Sequence, residues 1–283
     1  MSPDGTLGSD GDLMRGQGGQ LRNLTALLLA TLFVLSACAQ SQLIESGPYT
    51  WKDTGADGAS PGATSKLFEG PSDAFEYLYT AVTSVDAGEP FVLPQDNKDL
   101  EALLIMKSGT LDQSIPDDQK AMGSGSVSLI MPGEKLAAGN NSGEAATLYV
   151  IMWKARDKEG IAPADSTDIA RSLLIDWNDA KVVQIEKGER RYLIDAPTTM
   201  MRQFRMHVTT LNEGMISHPP HTHAEEEIIL VRNGEVEESI DGELYQVGAG
   251  SLIFLRSMVP HGIRNIGQGR AEYFAFKWMP RNH

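Results

Sequence analysis

The chain has a single cysteine, Cys38, among 283 residues, so it can close no internal disulfide and build no thiolate metal cluster. Aromatic residues are scarce, at 7%, and 24 Lys and Arg stand against 38 Asp and Glu. The basic residues form no cluster, and a formal net charge of −14 repels phosphate backbones, which argues against a nucleic-acid partner. Only one run looks like a membrane segment, residues 21–37 (LRNLTALLLATLFVLSA), and it is too short and too near the N-terminus for an ordinary span. What the chain has in quantity is glycine, 28 residues, in keeping with turn-rich β structure. Its 41% hydrophobic content is spread over a length greater than one usual domain, so two domains are expected.

Arg15 and Arg22 flank the start of the apolar run and small residues close it, the pattern of a signal peptide over residues 1–37. A chain beginning at Met14 would carry the normal short basic segment, so Met14 is an alternative start. The sequence Leu35-Ser36-Ala37-Cys38 resembles a bacterial lipobox, which implies diacylation of Cys38. The expectation is a lipoprotein of the cell envelope, facing the periplasm or exterior, with residues 38–50 as the tether and the membrane contacted through lipid alone.

The chain repeats itself. Trp51, Pro71, Val82, Thr83 and Gly88 match Trp177, Pro197, Val208, Thr209 and Gly214 at a separation of 126, as 51 to 177. Gly109, Gly123, Gly125, Ser126, Asn140 and Trp153 match Gly234, Gly248, Gly250, Ser251, Asn265 and Trp278 at 125, as 109 to 234. The paired segments 103–109 and 228–234 read as short apolar strands ending in a glycine turn, and Asp241-Gly242 is a hairpin signal. Short strands with frequent turns predict a β-barrel or sandwich in each half, 51–160 and 170–283. The charged segment 156–168, with Pro163, reads as their connection.

In the second copy, residues 214–234 have the form G-x6-H-x-H-x3-E-x6-G. His221, His223 and Glu227 share parity, so on a strand they project to one side and converge. A second segment, Gly250 to His261 followed by Asn265, brings a fourth polar donor after a glycine-bounded strand. Imidazole with carboxylate is a donor set for Fe, Mn, Ni or Zn. Glu225 shares the inward parity, whereas Glu226 is expected to point outward as a solvated charge. His218, before Pro219-Pro220, reads as a loop residue. Arg205, His207, Arg256 and Tyr273 join Glu225 as candidates to line a pocket.

Together the two segments resemble the two motifs of the cupin superfamily. The resemblance covers both halves and implies an all-β fold of two tandem cupin double-stranded β-helix barrels, a bicupin. It also implies one divalent transition metal on His221, His223, Glu227 and His261. Two positions depart from the second motif: Arg256 and Met258 stand where proline and glycine are usual. In the first copy the ligand positions are Asp96, Lys98, Ala102 and Leu136, a set that cannot hold a divalent cation. That barrel is expected to be metal-free and structural, packed on the second and helping to wall off its pocket. The resemblance implies a metal-dependent enzyme for a small oxygenated organic compound, of dioxygenase, isomerase or aminohydrolase type. The alternative is a non-catalytic module binding a sugar or other small ligand, and assembly as a homo-oligomer is left open.

Overall fold

The computed structural model describes residues 42–50, 63–156 and 170–280. The leader expected over 1–37, Cys38 and most of the expected connection lie outside these residues. The described chain is all strand and turn, with every strand pairing antiparallel.

Leu103–Met106 and Ile228–Val231 are uninterrupted apolar runs, and such a run needs a cover on both faces of its strand. The structure supplies both. On Glu101–Ser108, Leu103 and Ile105 enter a large core shared by the two halves, whereas Ala102, Leu104 and Met106 face the interior of the first barrel. On Glu226–Asn233, Ile228 and Leu230 enter the same shared core, and Ile229 and Val231 face the interior of the second. Trp153 and Trp278, fully buried, meet edge to face at 5.5 Å in the shared core, joined by Phe75, Phe204 and Phe276. Each half thus pairs a large sheet, six or seven strands, with a small one of four or three.

The large sheets exchange their first strands. Gly47–Thr50 pairs with Ser251–Leu255 of the second half, Thr50 opposite Ser251, while Leu173–Ile175 pairs with Val127–Ile130 of the first, Ile175 opposite Val127. Residues 47–50, expected within a tether, are therefore a sheet strand, and the expected boundaries at 51 and 170 do not follow the hydrogen bonding.

A second exchange is made by carboxylates. Glu226 accepts hydrogen bonds from Ser72 Oγ at 2.6 Å, from the Asp73 amide at 3.0 Å and from the Ala74 amide at 3.3 Å. Glu101, its counterpart, accepts from Thr198 Oγ1 and the Met200 amide, each at 2.9 Å, and from Trp153 Nε1 at 2.8 Å. Each half ties down the strand-entry turn of the other. The expectation that Glu226 is a solvated charge is wrong: it is 1% exposed. Parity located it outside its own barrel correctly, but that outer face is the interface with the other barrel. Burial, partly offset by the three donors, pushes its carboxyl up to about 7.

Turn chemistry follows the sequence. Asp241 and Gly242 both take positive φ, at 50° and 86°, the hairpin their pairing predicted. Gly234 has φ 80°, and a Cβ there would lie 2.8 Å from Ala271 Cα, so only glycine lets the strand turn against its neighbour.

Candidate metal centre

The strand Glu226–Asn233 carries Glu227, the strand His261–Asn265 begins with His261, and the loop before the first of these supplies His221 and His223. A single antiparallel bridge joins His221 to His261, with both backbone hydrogen bonds at 3.0 Å, and the Met258 amide donates to the His223 carbonyl at 2.8 Å. These bonds bring the loop onto the strand. One ligand atom from each of His221, His223 and His261 lies within 4.8 Å of the other two.

The rings are oriented from behind. His223 Nδ1 lies 2.9 Å from the Glu225 carbonyl, and His261 Nδ1 lies 2.8 Å from the Val259 carbonyl. A carbonyl only accepts, so each ring keeps a proton on Nδ1, and Nε2 is the atom turned to the centre. There Glu227 Oε2 is 3.0 Å from His223 Nε2 and 3.5 Å from His261 Nε2. The second contact lacks hydrogen-bond geometry, and among the described residues the buried His261 Nε2 has no partner. Burial opposes ionisation of Glu227, but the His223 and His261 imidazoles outweigh it and hold the carboxyl well below its ordinary range. Burial and the neighbouring imidazoles of His218, His261 and His223 depress His221.

Around this cluster lies a cavity of about 180 Å³. His207 and Tyr273, two of the candidate lining residues, are part of its wall. Burial first, then the Arg190 charge, lowers His207 to about 4, and burial pushes Tyr273 up to about 12, so both are neutral at pH 7. Three expected lining residues do not reach it. Arg205 is exposed and pairs with Asp195 at 3.3 Å. Arg256 grips Asp73 with two bonds, 3.0 and 2.9 Å, across the barrel interface. Glu225 stands behind His223 rather than in the cavity wall. His218, read as a loop residue, does line the cavity, its ring 4.1 Å from that of His221. Among the described residues, the first barrel contributes nothing to the wall, whose residues run from Arg190 to Lys277.

Arg190, Glu238 and Lys277 also line the cavity, and sequence reasoning missed them. Glu238 left a signal: it sits between Val236 and Ile240 at the same parity, a charge in an inward apolar row. Burial pushes its carboxyl well above the ordinary range, and neither oxygen has a hydrogen bond of normal geometry. In the first barrel the corresponding interior is largely hydrocarbon: Ala102 is buried with Leu104 and Met152, and Leu136 packs against them.

Residues 207–277 match the family model described as Cupin domain. No curated protein matches the chain. Solved structures that resemble it in fold include the following three. A protein of Pseudomonas aeruginosa described as glyoxylate-induced has 17% identity and a TM-score of 0.62, over 78% of this chain and 80% of that one. The oxalate decarboxylase of Lactobacillus farciminis, as its formate complex, has 12% identity and a TM-score of 0.59, over 84% and 88%. A single-residue variant of salicylate 1,2-dioxygenase from Pseudoaminobacter salicylatoxidans has 12% identity and a TM-score of 0.59, over 84% and 85%. These likenesses establish the fold: the chain is all-β and built as tandem cupin barrels.

Proposed function

We propose that the second barrel holds one divalent transition metal on His221, His223, Glu227 and His261, and that the protein is a metal-dependent enzyme acting on a small oxygenated organic compound. The observation that carries this reading is the pair of rings, His223 and His261, whose Nδ1 atoms are committed to carbonyls while their Nε2 atoms converge on one carboxylate oxygen. The donor set fits an ion. A buried Nε2 without a partner, as on His261, is costly by itself and is satisfied by coordination.

When bound, the ion supplies Lewis-acid polarisation of a substrate oxygen or a place for dioxygen. The chain does the rest. Glu225 and Val259 hold the tautomers through their carbonyls. Ile229, Ile263 and Ala275 make part of the cavity wall apolar, and the neutral Tyr273 hydroxyl and His207 ring offer hydrogen bonds to an uncharged substrate oxygen. Likeness in fold to an oxalate decarboxylase and a salicylate dioxygenase is in keeping with such chemistry.

Elemental analysis of protein purified without added metal tests the centre. One ion per chain is expected, lost in the His221→Ala/His223→Ala variant and unchanged in Lys98→Ala. Two tightly held ions, or one that survives the double variant, overturn the assignment. An oxygen-consumption screen with the loaded protein then separates oxygenase from non-redox chemistry. We also infer that Cys38 is lipidated and places the barrels on the outer side of a membrane. Cys38→Ser is expected to release the protein or block processing, and an uncleaved wild-type leader would argue against it.

A further inference from the structure

We propose that the ligand of the second-barrel cavity is a small organic acid, held through its carboxylate by Arg190 and Lys277. This deepens the metal-centre reading and rests on it for the position of the site. Among the described residues neither cation has an ion pair or hydrogen bond, and Arg190 Nε is buried without a partner. Their charges are felt in the cavity: both act on His207, and Lys277 also acts on His261.

Leaving two cations bare is selective in a chain with 38 Asp and Glu. Other arginines of the same half are matched, Arg205 to Asp195, Arg264 to Glu237 and Arg270 to Glu189. A half-buried cation without a counter-ion is unfavourable unless something else supplies the negative charge. Among the described residues that line the cavity, Glu227 is the carboxylate held ionised, and it faces His223 and His261. With a divalent ion in place, the wall is net positive.

The internal duplication acts as a control. At the places of Lys277 and Arg190 the first barrel has Met152 and Thr64, so the fold does not require cations there. At the place of Glu238 it has Gln113, whose carbonyl oxygen accepts from Ser128 Oγ at 2.6 Å. In the second barrel that serine is replaced by Ile253, and the Glu238 oxygens are left for a ligand. Size and polarity narrow the class. At about 180 Å³ the cavity is below the roughly 300–1,000 Å³ of drug-sized pockets. The apolar lining residues Ile229, Ile263 and Ala275 favour an acid with a carbon skeleton over an inorganic anion. The guanidinium fork and the ammonium would take the carboxylate, and Glu238 a second oxygen, hydroxyl or carbonyl.

The test is calorimetric titration of the full barrel pair, metal-loaded and chelated, with oxalate, lactate, pyruvate and salicylate, against their amides and inorganic phosphate. At least one acid is expected to bind more tightly than its amide and than phosphate. Arg190→Gln and Lys277→Met are each expected to weaken it roughly tenfold or more, with Arg190→Lys in between, while Arg205→Gln changes nothing. Metal content is measured on every variant. Equal binding of acid and amide, preference for phosphate, or affinity indifferent to both cation substitutions overturns the proposal. If no ion is ever bound, the metal reading fails alone, and the chelated titrations still decide whether Arg190 and Lys277 select an acid.

Discussion

Glu226 is the residue whose removal should cost the fold most for its size. Three donors from the opposite barrel converge on it, Ser72 Oγ and the amides of Asp73 and Ala74, at 2.6, 3.0 and 3.3 Å. Glu226→Ala takes away the acceptor and leaves the donors in an interface where Ser72 is fully buried. Each lost bond is worth about 1–1.5 kcal/mol when the donor stays unsatisfied, so the total is about 3–4 kcal/mol. A water entering the vacated space would reduce it toward ~2 kcal/mol. With a urea slope near ~3 kcal/mol per M, a loss of about 3 kcal/mol lowers the midpoint by about 1 M. Glu226→Gln keeps one oxygen for Ser72 and the Ala74 amide, which share Oε2, and loses only the acceptor of the Asp73 amide, so it should stay within about 1.5 kcal/mol of wild type. The assay is equilibrium urea unfolding of chelated protein, followed by tryptophan fluorescence, because Trp153 and Trp278 lie in the same interface. An Ala variant as stable as the Gln variant would refute the view that this carboxyl joins the barrels.

Two further outcomes follow from local geometry. Met258 has φ 63° and is exposed, so it bears left-handed strain of roughly 1–2 kcal/mol with little packing in return. Met258→Gly is expected to raise stability by about 1 kcal/mol in thermal melts, allowing for the greater chain entropy of glycine, and a lowered melting temperature would contradict this. His207 is held neutral, its pKa lowered from 6.5 to about 4 chiefly by burial. The unfolded chain therefore takes up its proton first as pH falls, and folding stability drops between about pH 6.5 and 4, by about 3 kcal/mol from this group. The chelated His207→Gln variant should gain that much relative to wild type on acidification, and a pH-independent difference between the two would rule the cause out.

Within the site, legibility depended on which neighbour decided a side chain's surroundings. His221, His223 and Glu227 were legible because parity along a short segment is a local property of the backbone, and His207 and Tyr273 were candidates that the strands do turn inward. Arg256 was misread because its partner, Asp73, is 183 residues away and on the other barrel. Arg205 lies two residues from His207 in unbroken register, so parity gave its face correctly, but its side chain is exposed and pairs with Asp195 instead of entering the cavity. Glu238 and Lys277 were legible in principle, from the inward residues beside them at the same parity, and Arg190 was not.

What the sequence by itself determined is the architecture and its asymmetry. Repeated glycines, paired apolar strands and a constant offset specify two copies of one β fold. The substitution of Asp96, Lys98, Ala102 and Leu136 for the donors places any metal centre in the second copy, because side-chain chemistry does not depend on tertiary detail. Only the tertiary structure decided how the copies combine. That Gly47–Thr50 completes the second sheet and Leu173–Ile175 the first, and that Glu226 and Glu101 each cap the other's turn, are long-range pairings. A strand's period tells which residues share a face, but whether that face meets water, a cavity or a second barrel is fixed by what packs against it.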